Sequence, residues 1–132
     1  MVSGVSAERE IVHAGGAPAA IGPYSHAVRS GGLLYCSGQI PLDPASGELV
    51  QGPVSVQARR CLENLAAVCE AAGTTLARAV RITIYMTDLG AFGEVNEACA
   101  EIFAVDPPAR ATVGVAALPR GASVEIDAIV AI

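Results

Sequence analysis

Pro107-Pro-Ala-Arg-Ala-Thr-Val-Gly-Val-Ala-Ala-Leu-Pro-Arg-Gly-Ala-Ser-Val-Glu-Ile-Asp-Ala-Ile-Val-Ala-Ile132 closes the chain, and its reading decides the fold. It divides into two strands joined by the turn Leu118-Pro-Arg-Gly121, where proline supplies a fixed φ and glycine tolerates a positive one. Pairing Ala117 with Ala122 sets Val115 opposite Val124 and Val113 opposite Ile126, so one face is apolar. Strand alternation then gathers Arg110, Thr112, Gly114, Glu125 and Asp127 on the other face. Two readings of that face stand side by side. It is either the wetted side of a half-exposed antiparallel sheet, with structural ion pairs, or a functional site.

Working outward, the 132 residues suit one domain with a single core. Apolar residues make up 52% and charged ones 16%, the balance of a folded globular chain. No run approaches the roughly 20 apolar residues of a membrane span, so the apolar excess points to surface buried between subunits. The first ten residues lack the basic start and apolar centre of a secretory signal, and a cytoplasmic location is expected. A net charge of −5 argues against nucleic acid as a partner, which would require a basic stripe. Cys36, Cys61, Cys69 and Cys99 show no C-x-x-C spacing and read as small, reduced, buried hydrophobes. His13 and His26 have no metal-ligand spacing, so no metal site is expected.

Before the closing stretch, residues 1–8 read as a loose terminus and 8–13 as a short first strand. The Pro- and Gly-containing segment 17–24 is a loop, and strands at 25–30 and 33–38 flank the hairpin turn Gly31-Gly32. A longer loop over 39–53 leads to a helix whose stripe is Ala58, Cys61, Leu62, Leu65, Val68, Cys69 and Ala72, with Ser55 as N-cap and Gly73 just past its end. Val80, Ile82, Ile84 and Met86 alternate with polar residues as a strand. Asp88 caps a second helix with the stripe Phe92, Val95, Cys99, Ile102 and Phe103, which Asp106-Pro-Pro108 ends. Two helices cover one face of a mixed sheet, which makes a two-layer α+β domain spanning 1–132, its other face left for water or another subunit.

Composition and spacing reveal no phosphate-binding loop. Ser25 beside His26 is mere adjacency, and a structural role for His26 is the simpler reading. Six motifs do carry a resemblance: Ala20-Ile-Gly-Pro-Tyr-Ser-His-Ala-Val28, Ser37-Gly-Gln-Ile-Pro41, Asn64-Leu65 with Ala71-Ala-Gly73, Val95-Asn96, Pro108-Ala-Arg110 and Val124-Glu-Ile-Asp-Ala-Ile129. In this order, and over nearly the whole chain from about residue 10, they resemble the Rid/YjgF family. That family comprises reactive intermediate deaminases of the RidA type, formerly described as L-PSP endoribonucleases.

The resemblance implies a chorismate-mutase-like, YjgF-like α+β fold and a homotrimer with a site in each cleft between subunits. It further implies hydrolysis of enamine and imine intermediates, such as 2-aminoacrylate and 2-iminopropanoate, to 2-keto acid and ammonia, with no cofactor. Arg110 matches the family's substrate-binding arginine, whose planar fork suits a carboxylate. Glu125 matches the glutamate that positions water. Tyr24, Ser37 and Asn96 match pocket residues, and Thr112 stands where many members carry cysteine. Each has a bland alternative: Tyr24 pins its loop, Asn96 caps a backbone group, Ser37 satisfies the strand edge.

Departures from the family pattern border the expected cleft. The 103–108 segment is short, Cys99 replaces an aromatic, and Ala111 follows the arginine where serine is common. They bear on substrate range and on whether deamination is retained. Two further functions remain open: a non-catalytic trimer that binds small carboxylates or a partner protein in the same cleft, and RNA cleavage, against which the acidic balance weighs. One tension is geometric: with Glu125 facing Gly114, it lies four residues along from Arg110, about 13 Å at the usual strand rise.

Overall fold

The computed structural model describes residues 8–132; the loose terminus expected over 1–8 lies, apart from Glu8, outside the described residues. In chain order the elements are β1 (Glu10–Val12), β2 (Ala27–Ser30), β3 (Leu33–Gln39), α1 (Val54–Ala71), β4 (Ala79–Met86), α2 (Phe92–Ile102), β5 (Ala109–Gly114) and β6 (Val124–Ala131). The strands form one mixed sheet in the order β1-β2-β3-β6-β4-β5. Both helices cover one face, as the sequence predicts.

Local signals account for most elements. Gly31 and Gly32 adopt φ of 58° and 84°, the left-handed pair that a two-residue hairpin between β2 and β3 requires. The α1 stripe is buried throughout: Ala58, Cys61, Leu62, Leu65, Val68 and Cys69 have 0% exposure. Gly73 takes φ 83° just past the helix end. Ser55, however, is not the N-cap. Pro53 holds that position with no side-chain cap, and the Ser55 N–H donates to Glu94 Oε1 of α2 at 3.3 Å. The helix thus borrows a carboxylate from its neighbour to satisfy an end group that its own sequence leaves open. Asp88 caps the short 3-10 turn Leu89–Ala91, its Oδ1 accepting from the Gly90 N–H at 2.8 Å, and not α2 itself, whose N-cap position is held by Ala91.

The closing hairpin does not form. β5 runs parallel to β4, and β6 runs antiparallel to β4 on its other side. The Val115 N–H donates to Met86 O, and the Thr87 N–H to Ser123 O, so the segment after β5 straddles the end of β4. The turn at Leu118–Gly121 exists, with φ 61° at Arg120 and 74° at Gly121, but β4 occupies the space between its arms. The reason is burial. Val124, Ile126, Ala128 and Val130 are all under 3% exposed beneath the helices, and a strand lodged between β3 and β4 pairs on both edges. The α2 crossover meanwhile delivers β5 parallel to β4 on the outer edge.

This topology reverses the expected sharing of faces. Arg110, Thr112 and Gly114 are in register with Ile82, Ile84 and Met86, on the helix side. Glu125 and Asp127 are in register with Tyr85 and Thr83, on the open side. Val113, expected in the apolar interior, is 39% exposed on the open face. Tyr35 and Ile11, on the same face, are also more than 40% exposed.

All four cysteines are free and buried. Cys36 and Cys69, distant in sequence, meet across β3 and α1, where the thiol–thiol hydrogen bond and burial push Cys36 well above the ordinary thiol range. Among the described residues no helix is long and apolar enough to cross a membrane.

Candidate active site

Two cavities divide the candidate residues between them. The larger, of about 490 Å³, is lined by Pro18, Ile21, Tyr24, Ser37, Gln39 and Glu125 among others. Its walls are two loops, and each is tied to the core by one buried polar side chain. His26 Nδ1 accepts from the Ala14 N–H at 2.9 Å, so its proton sits on Nε2, which donates to Pro18 O at 2.8 Å. That clamp holds the segment leading to Ile21 and Tyr24. Asn64, fully buried on α1, donates from Nδ2 to Ile40 O at 3.3 Å and Leu42 O at 3.0 Å, and its Oδ1 accepts from Arg60 Nε. Those bonds hold the loop after β3.

Glu125 enters this cavity from β6 across Gly38. A Cβ at position 38 would overlap the Glu125 carboxylate, so only glycine leaves room for it there. Burial, then the nearby Asp127 charge, raises the Glu125 carboxyl above the ordinary range. Asp127 is engaged by the Tyr85 hydroxyl at 2.9 Å. The bland roles of two pocket residues are also realised: Tyr24 Oη accepts from the Ile21 N–H at 3.3 Å, and Ser37 Oγ donates to Ser25 O at 2.6 Å. Both still line the cavity.

Arg110 belongs to the second cavity, about 280 Å³, lined by Ile82, Asn96, Cys99, Ala100, Phe103, Pro107 and Pro108 besides the arginine itself. Its guanidinium carbon lies 5.3 Å from the centre of the Phe92 ring. Burial raises the Cys99 thiol, and the neighbouring Arg110 charge opposes that rise. Arg110 takes part in no salt bridge found among the described residues. Thr112, two residues along β5, has a buried hydroxyl without a hydrogen-bond partner among the described residues. An orphaned hydroxyl costs about 1–3 kcal/mol, which a bound water or ligand would offset.

Within one chain these two groups do not converge. Arg110 shares its row with Ile82 and Ala128, whereas Glu125 shares the row of Tyr85 and Val113. They are three residues apart along the strands, about 10 Å, and two strands apart across the sheet, again about 10 Å. They also lie on opposite faces. The sequence reading placed Tyr24, Ser37, Asn96, Arg110, Thr112 and Glu125 in a cleft between subunits without saying which subunit supplies each; within one chain Tyr24, Ser37 and Glu125 line the first cavity, Asn96 and Arg110 the second, and Thr112 lies beyond Arg110 on β5. That reading missed the close approach at Gly38, which a glycine inside a strand could have signalled, and the Phe92 ring beside Arg110. Among the described residues no three His, Cys, Asp or Glu side chains converge to hold a metal ion.

Comparison with known proteins supplies the family. The family described as Endoribonuclease L-PSP matches residues 14–132. Protein DfrA of Myxococcus xanthus is 56% identical over 123 residues, covering 92% of this chain and 94% of that protein. The 2-iminobutanoate/2-iminopropanoate deaminase of Mus musculus is 47% identical over 121 residues, covering 92% of this chain and 90% of that protein. Among solved structures, YyfA of the conserved Rid protein family from Yersinia pestis superposes with a TM-score of 0.91 at 43% identity, covering 95% of this chain and 100% of that one. With one α+β architecture shared over nearly its whole length, this chain belongs to the Rid/YjgF family, the Endoribonuclease L-PSP family.

Proposed function

We propose that the protein hydrolyses reactive enamine and imine intermediates of the 2-aminoacrylate and 2-iminopropanoate type to 2-keto acid and ammonia, at sites built between copies in a homotrimer. The observation that carries this reading is the split itself. A carboxylate with raised pKa stands in one cavity and, in another, an arginine fork with no ion pair among the described residues, on opposite faces of one sheet. Each is half of a machine for an anionic imine, and a neighbouring copy is the simplest source of the other half. Among the described residues the outer edge of β5 is unpaired, and the far sheet face carries exposed Tyr35, Ile11 and Val113, so the halves lie beside surface that an oligomer would cover. The activity named for the mouse relative supports the chemistry.

The steps follow from the groups. Arg110 takes the substrate carboxylate in two parallel hydrogen bonds. Glu125 accepts a proton from a water as its oxygen bonds to the imine carbon, and returns that proton to the nitrogen. As the tetrahedral adduct collapses, Glu125 takes the hydroxyl proton and passes it to the amine, so that the C–N bond breaks, ammonia leaves and the keto group remains. An enamine first takes a proton at its terminal carbon and gives one up from its nitrogen to become the imine. Because Glu125 must be ionised and its pKa is raised, kcat/KM should fall on the acid side at a pH above the ordinary carboxylate range. Glu125→Gln should remove that limb together with most of the activity.

The deciding experiment mixes two inactive variants. Arg110→Ala and Glu125→Gln are co-refolded in equal amounts, and pyruvate formation is followed with a dehydratase supplying the imine. With the halves in different copies, about one quarter of the sites regain both groups by random assembly. Activity no higher than the separate variants show would place both groups in one copy's site, or remove them from the reaction. Wild-type protein that does not exceed spontaneous hydrolysis would end the deaminase reading.

A further inference from the structure

Building on the deaminase reading, we propose that the cavity beside Arg110 receives the substrate's side chain. The preferred substrates are then 2-imino acids with branched or extended apolar side chains, ahead of 2-iminopropanoate. The cavity lies between the second half of α2 and the start of β5. Ile82, Cys99, Ala100, Phe103, Pro107 and Pro108 wall it, and only Asn96 and Arg110 bring polar side-chain groups other than the Cys99 thiol.

Three features make this a pocket. Cys99 and Ala100 are small, and their size on adjacent positions of α2 leaves the space open. Phe103, 6% exposed, is anchored in the core and gives one wall a fixed surface. Pro107 and Pro108 fix their own φ, so the connection into β5 cannot readily fold inward to fill the gap. The volume of about 280 Å³ is close to the lower end of ligand pockets, which run from roughly 300 Å³ upward.

Arg110 sets the direction. With its fork on the carboxylate, the 2-carbon of the substrate lies one bond beyond, and the side chain leaves from that carbon. The cavity beside the arginine is walled mostly by apolar side chains, so a hydrocarbon side chain is favoured there over water. A methyl group has about the bulk of one water, whose share of liquid volume is roughly 30 Å³, and leaves most of the cavity wet. One further methylene in an apolar pocket changes specificity by about 10- to 200-fold. Imines with larger side chains should therefore be turned over with a clear advantage.

The test generates the imines of alanine and of leucine in place with an amino-acid oxidase and compares kcat/KM for their hydrolysis. The leucine-derived imine should be favoured by about tenfold or more. Ala100→Leu projects carbon into the cavity from a position that is exposed on α2, so folding is little disturbed. It should reduce the leucine-to-alanine ratio by about tenfold, and the ratio is insensitive to any loss of folded protein. Turnover of the alanine-derived imine with no preference for the larger one, or a ratio unmoved by Ala100→Leu, would overturn the side-chain pocket and leave the deaminase reading intact. Failure with both imines would overturn the two together.

Discussion

The two halves of the proposed site are built to different standards of rigidity. The Glu125 half is embedded: β6 pairs on both edges, His26 and Asn64 fasten its loops, and Gly38 admits the carboxylate. The Arg110 half stands on an edge strand, stacked on one aromatic ring, beside a hydroxyl that has no partner among the described residues. One half is organised by its own chain. The other presents groups that await a ligand or a neighbour. On the proposed roles, the group that would ionise and move a proton is held by the fold, whereas the group that would grip an arriving anion is left reachable.

The sharpest way to break this contrast is at Arg110. Losing one partner of a desolvated charge pair costs about 2–5 kcal/mol, or roughly 30- to several thousand-fold. Arg110→Ala should therefore nearly abolish deamination, and Arg110→Lys, which keeps charge without the fork, should remain severely impaired. Both should melt as the wild type does, since Arg110 is exposed and outside the salt bridges found. A large fall in melting temperature with activity per folded molecule intact would make Arg110 structural.

Gly38→Ala probes the embedded half by displacing the Glu125 carboxylate without replacing it. The backbone there is not left-handed, so alanine is unstrained, and the atom it strikes is the free end of a side chain. The Glu125 carboxylate should swing aside while the fold survives. Misplacement of about 1 Å costs roughly 100-fold, and kcat is the parameter expected to carry it. Unchanged kcat would show that Glu125 needs no such placement.

Smaller effects sharpen the same contrast. Asn64→Ala leaves the carbonyls of Ile40 and Leu42 without their donor and should cost about 1–3 kcal/mol in denaturant titration. Phe92→Leu removes the ring from Arg110, a contact worth about 0.5–1 kcal/mol at an exposed site. It should raise KM by about two- to fivefold with melting unchanged. If Phe92→Leu proved more destabilising than Asn64→Ala, the assignment of rigidity to the two halves would be reversed.

Much of this architecture was legible in residues 8–132 taken locally. The α1 stripe from Ala58 to Cys69, the Gly31-Gly32 turn, the left-handed Gly73 and the alternation of Ile82, Ile84 and Met86 each follow from a period or a φ that neighbouring residues impose. The identities of Arg110 and Glu125 as candidate groups came from motifs in order along the chain. Alternation also told correctly which residues within one strand share a face.

What alternation could not tell is how one strand's faces relate to another's. That depends on which strands are neighbours, and pairing is decided by burial over the whole sheet. Two strands joined by a good turn look like a hairpin until β4, distant in sequence, competes for both partners and lodges between them. Its insertion sends Arg110 to the helix side and Glu125 to the open side. The sequence by itself determined the elements, the turns and the chemistry carried by each strand, because those rest on contacts a few residues apart. Only the tertiary structure decided that the chemistry is divided between two faces, because that rests on long-range pairing, where core burial outweighs the convenience of a short turn.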